Sequence, residues 1–174
     1  MANTTFQGPV RSLNGMYSFG PGTTVNLAAN VTLSPTLHAG KLLRLNAAGI
    51  NITLPPIVTT ADANGTGPGS DPNTLNNQGV VYTIVVETAT NASSLITTDG
   101  TDKFYGSLTL VNSVSGAINT SSIAVSTANI NIKMNGSTTG GLSGSYLQIT
   151  AAGPAKYVVS GVLNGSGTLA TPFT

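Results

Sequence analysis

His38 is the only histidine in the chain, and it stands in Ser34-Pro35-Thr36-Leu37-His38-Ala39-Gly40. A Ser/His/Asp triad could draw on it, but no nucleophile-elbow sequence accompanies it, and the segment reads as a turn between two strands. Acid–base work by paired carboxylates would have to come from Asp62, Asp71, Glu87, Asp99 and Asp102. Asp99-Gly100-Thr101-Asp102 is the tightest acidic spacing. Asp and Gly both tolerate turn geometry, so it reads as a structural turn before it reads as a calcium loop, which wants more oxygen ligands. Gly136–Gly144 (GSTTGGLSG) is glycine-rich but lacks the Gly-Lys-Ser/Thr ending of a phosphate loop, and reads as a flexible hairpin loop. Asn-X-Ser/Thr occurs at eight positions, Asn3 and Asn30 among them, as a Thr- and Ser-rich composition dictates. We read none of them as glycosylated. The expectation is no catalytic residue, no metal site and no cofactor.

The elements that would have to position any chemistry are strands. Val25, Leu27, Ala29, Val31 and Leu33 alternate with small or polar residues, the period-2 pattern of a half-buried strand. Lys41–Asn46 and Ala48–Leu54 repeat it. Val80–Glu87 (VVYTIVVE) is apolar on both faces, which predicts a central strand covered from both sides. Lys103–Val111, Ser122–Val125, Asn129–Met134, Ser145–Ala151 and Lys156–Val162 give further short strands. No window carries apolar residues at helical spacing for three turns, and strong helix formers are scarce. The expected fold is all-β: an antiparallel β-sandwich or jelly-roll-like barrel with an extended N-terminal arm. The arm is residues 1–22, and one β-domain spans 23–174 with a long loop at about 55–79. Tyr82, Phe104, Tyr105, Tyr146 and Tyr157 fall in strands and read as core.

Composition limits the function classes. Only 6% of the 174 residues are charged, 40% are hydrophobic, and the formal net charge is +1. An ordinary soluble domain is about a quarter charged. Little electrostatic repulsion keeps copies apart, which points to a protein packed in an assembly. The six Lys and Arg are spread along the chain, so phosphate binding by a clustered patch is not expected. There is no Cys, which removes disulfides and thiolate ligands. No apolar run reaches the roughly 20 residues of a membrane span. Met1–Phe6 has neither the basic nor the apolar region of a signal peptide, so manufacture and use without export are expected. The arm carries Phe6, Pro9, Val10, Arg11, Met16, Tyr17 and Phe19. It is too apolar for a solvated tail. It either lies on its own domain or contacts a neighbouring protein, and these are the candidate protein-contact residues.

The opening Met1-Ala2-Asn3-Thr4-Thr5-Phe6-Gln7-Gly8-Pro9-Val10-Arg11-Ser12 resembles the start of small virion proteins of tailed bacteriophages. Ala39–Pro55, Gly79–Val86, Leu95–Gly106 and Ala155–Gly161, in that order, resemble phage head decoration (cement) proteins, although Tyr157 stands where an aromatic such as Trp is expected. The resemblance implies a structural virion protein, not an enzyme. It would bind the outer surface of the expanded capsid, clamp neighbouring major capsid proteins and act as a homotrimer. It implies manufacture in the host cytoplasm, with no nucleic-acid or membrane partner. The alternative, from a different class, is a receptor- or carbohydrate-binding module of a head or tail fibre.

Overall fold

A computed structural model describes residues 23–59, 77–91, 94–115, 118–124 (backbone only) and 128–174. The arm and most of the long loop therefore lie outside the described residues. The strands are β1 (Thr24–Leu27), β2 (Val31–Thr32), β3 (Leu42–Leu45), β4 (Asn51–Thr53), β5 (Val81–Val86), β6 (Leu95–Thr97), β7 (Lys103–Asn112), β8 (Ile118–Ala124), β9 (Asn131–Lys133), β10 (Tyr146–Gly153) and β11 (Lys156–Gly165). One helical turn, α1 (Pro35–His38), separates β2 from β3; Ser34 caps it, its Oγ accepting from the Leu37 N–H.

The all-β expectation holds, but the antiparallel one does not. Seven strands form one sheet in the order β1-β3-β5-β10-β11-β7-β8, and four form a second in the order β2-β4-β6-β9. The β1–β3, β3–β5, β11–β7, β2–β4 and β4–β6 ladders are parallel. The physical reason lies in the first half of the chain. Successive strands alternate between the two sheets, so each returns to its own sheet running the same way, as in a coil. Alternation in the sequence fixes which face a residue takes but says nothing of strand direction.

The same coiling explains a second difference. The Val25–Leu33 pattern, expected as one strand, is β1 and β2 in different sheets, and the chain bends at Ala28–Asn30. Asn30 holds the bend, its Oδ1 accepting from the Asn51 N–H of the next coil at 2.9 Å.

One apolar core takes side chains from both sheets. Leu43, Leu45, Tyr82, Ile84, Phe104, Leu147, Ile149 and Val159 come from the larger sheet, and Ile52, Ile96 and Ile132 from the smaller. β5 is central by position, between β3 and β10. Its burial nevertheless alternates: Tyr82, Ile84 and Val86 are buried while Val81, Thr83 and Val85 are half-exposed. Covering on both faces is thus not what its apolar run means; the second face is only partly shielded. Gly106 and Gly161 occupy inward positions where β7, β11 and β10 approach too closely for a side chain. A Cβ on Gly106 would strike the Val159 carbonyl, and one on Gly161 the Tyr146 carbonyl.

Candidate functional site

The outward face of the larger sheet is its most distinctive surface. Register aligns Arg44, Val85, Tyr146, Val162 and Thr109 in one row across five strands. A second row is Leu42, Thr83, Gln148 and Ser160, and a third is Val81, Thr150, Val158 and Tyr105. Tyr146, Val158 and Val162 are 41%, 38% and 40% exposed, and Leu42 is 36% exposed. Of these four, Tyr146 and Val162 are direct cross-strand neighbours, and the others share the face with Thr83, Gln148, Thr150 and Ser160 standing among them.

Among the described residues, charge on this face is confined to its margins. Arg44 is paired with Glu87 at one side. At the other, Lys156 Nζ lies 4.9 Å from the Tyr105 ring centre, and Lys103 Nζ donates to the Gly100 carbonyl. Between them, in these three rows, the outward residues of β5, β10 and β11 are Val, Thr, Tyr, Gln and Ser. Five strands at about 4.8 Å spacing and rows spread over about 13 Å give a patch on the order of 300 Å². A stable interface takes about 800 Å² per partner. One such face would therefore bind weakly, and several presented together would bind firmly.

Asp62 and Asp71 lie outside the described residues. The other candidate chemical residues have structural roles. Asp99 Oδ1 accepts from the Thr101 and Asp102 N–H groups, closing the turn that the sequence suggests. Asp102 is 3% exposed, and its Oδ2 accepts from the Ile57 N–H at 2.8 Å. Burial holds its carboxyl above the ordinary carboxylate range, an effect the Ile57 bond opposes and Asp99 reinforces. His38 is also buried. Its Nδ1 lies 2.9 Å from the Ser34 N–H, which donates to it, and 3.2 Å from the Ser34 carbonyl. Desolvation lowers its pKa below the ordinary histidine value, which favours the neutral ring.

Asp102 and Tyr157 also anchor the root of the long loop. The Tyr157 hydroxyl donates to the Pro55 carbonyl at 2.6 Å, and burial lifts this phenol well above the usual range. Asn77 Oδ1 accepts from the Val58 N–H, and Asn77 Nδ2 donates to the Pro56 carbonyl. The two ends of the 55–79 connection are thus tied side by side.

Tyr82 and Phe104 are buried as expected, and Phe104 packs tilted against Tyr157 at 6.3 Å between ring centres. Tyr105 and Tyr146, expected in the core, face outward, because their strand parity is opposite to that of Phe104 and Leu147. The Gly136–Gly144 segment is pinned, not a loose hairpin: Asn135 Oδ1 accepts from the Ser137 and Thr139 N–H groups, and Gly140 and Gly141 pack against Leu163 and Thr90.

The arm residues Phe6, Pro9, Val10, Arg11, Met16, Tyr17 and Phe19 lie outside the described residues. Among the described residues no helix is long and apolar enough to cross a membrane. Compared with known protein families, curated proteins and solved structures, the chain has no significant match.

Proposed function

We propose that this chain is a structural virion protein that binds the outer surface of an expanded tailed-phage head and clamps neighbouring major capsid proteins. The observation that carries the reading is the charge-poor outward face of the seven-stranded sheet, on which Leu42, Tyr146, Val158 and Val162 are exposed. The 6% charge of the whole chain and the resemblance of its opening to small phage virion proteins support it. Within this reading the two sheets stack as a sandwich, the chain acts on the capsid exterior after synthesis in the host cytoplasm, and it works as a homotrimer. A trimer multiplies a face too small to hold a partner alone.

The test is cosedimentation of the purified chain with expanded, undecorated heads. Saturation at several copies per hexamer, with heads then resisting heat or osmotic shock, is the expected result. The double variant Val158→Glu/Val162→Glu should fold normally and bind at least about tenfold more weakly, since each buried charge costs more than about 1 kcal/mol. Absence of binding would sink the reading. Exposed Tyr146 and Gln148 on adjacent rows favour a second one, a receptor- or carbohydrate-binding module; glycan-array binding lost on Tyr146→Ala would then take precedence.

A further inference from the structure

His38 is 8% exposed, yet only one edge of its ring is engaged. The Ser34 N–H donates to Nδ1 at 2.9 Å. The Ser34 carbonyl, 3.2 Å from the same nitrogen, already accepts from the His38 backbone N–H at 3.0 Å. Nδ1 is therefore the acceptor, and the proton of the neutral ring sits on Nε2. Burial keeps the ring neutral, and the Lys41 charge works in the same direction. Among the described residues nothing accepts from Nε2–H. A donor with so little access to water costs free energy until an acceptor reaches it.

Beside it is a groove. Val25, Leu27, Val31 and His38, with Ala28 and Ala29, line an open cavity of about 350 Å³ at the bend between β1 and β2. That volume suits a small molecule. Leu27 belongs to the core, and Val25 and Val31 pack on it while staying partly exposed, so the walls are aliphatic. Asn26 and Asn30 complete the lining, which contains no Asp, Glu, Lys or Arg. The Asn30 Oδ1 is already used by the Asn51 N–H. With Nδ1 turned to the Ser34 backbone, the His38 ring presents its Nε2 edge to the cavity.

These features select a ligand. Aliphatic walls want a hydrocarbon tail of a few carbons, and a single buried N–H wants an acceptor at its end. A carboxylate is the acceptor that fits best. No carboxylate of the protein lines the groove to repel it, and the positive potential of Lys41 reaches the ring. A hydrogen bond to an ionised acceptor is also about twice as strong as one to a neutral group.

We propose that this groove binds a short aliphatic carboxylate, its tail against Val25, Leu27 and Val31 and its carboxylate accepting from His38 Nε2–H. The site goes beyond the capsid reading, and none of its residues belongs to the exposed set Leu42, Tyr146, Val158 and Val162.

His38 is the only histidine, so one imidazole signal reports the site. The probe is hexanoate, titrated to about 30 mM into the full chain at about pH 7.5, with 1-hexanol as its uncharged counterpart. The expected result is saturable movement of the Val25–Val31 amides together with the imidazole Nε2 signal. Hexanoate should bind at least about fivefold more tightly than 1-hexanol. A bound carboxylate favours the imidazolium, so saturating hexanoate should carry the His38 titration to higher pH. His38→Asn keeps an acceptor for the Ser34 N–H and loses the donor in the groove; its affinity for hexanoate should fall to that for 1-hexanol. Equal affinities in the native chain would overturn the proposal, leaving an apolar groove alone. So would an unmoved His38 titration, shifts that avoid residues 25–31, or full hexanoate affinity in the folded variant. The native-chain comparisons decide the question even where His38→Asn fails to fold.

Discussion

Ala155 sits at φ 54°, a left-handed conformation, in the two-residue turn between β10 and β11. Pro154 supplies the fixed φ that starts the turn, and the second position wants glycine. A non-glycine residue there costs roughly 1 kcal/mol. Ala155→Gly should therefore raise unfolding stability by up to about 1 kcal/mol, and Ala155→Val should lower it, both read by chemical denaturation. The buried ionisable residues make the fold respond to pH in opposite directions. His38 has a lowered pKa, chiefly from desolvation. Its unfolded form takes up a proton below about pH 6.5 while the folded form does not, so stability falls as pH drops through that value. Asp102 has a raised pKa, so the folded form is protonated first and stability recovers on approach to the ordinary carboxylate range. Thermal unfolding at about pH 7.5 and 5.5 should show a lower midpoint at the acid value. His38→Asn, which keeps an acceptor for the Ser34 N–H, should remove most of that difference. An unchanged difference in the variant would exclude His38 as its source.

At the scale of elements, the smaller sheet depends on its last strand being closed. Phe173 is 5% exposed and bridges to Ile132, while the neighbouring backbone groups exchange hydrogen bonds with residues 130–133. Phe173→Ala should cost about 3–4 kcal/mol. Amide exchange at Asn131 and Lys133 should quicken more than at Leu147, which lies in the middle of the larger sheet. Equal quickening everywhere would mean that the C-terminal stretch has no local role. Period-2 alternation makes β3, β7, β10 and β11 legible in the sequence, and a continuous apolar run does so for β5, because each carries at least two inward apolar residues. β6 has only Ile96 pointing inward and is too short to leave a pattern. The break between β1 and β2 leaves no mark either: the bend at Ala28–Asn30 preserves parity, so Val25 and Val31 still look like one strand. The outward face was hidden for a related reason. Val158 and Val159, or Tyr146 and Leu147, are neighbouring apolar residues, and only the register says which of each pair is left uncovered.

For the whole molecule, the low charge takes on a location once the sheets are in place. Arg44–Glu87 and the Lys103–Lys156 corner border a charge-poor face, which gives the low charge of the composition a place in the fold. The outward face itself was not readable from residue types, because it is made by strands far apart in sequence. β11 lies between β10 and β7, in parallel with a strand some fifty residues earlier, Lys156 opposite Lys103. On a ribosome, the left and right parts of the larger sheet would wait for a strand made after both. Until it emerges, β7 and β10 each present an open margin, so the nascent chain is most vulnerable to pairing with a neighbour just before it can bury its own middle.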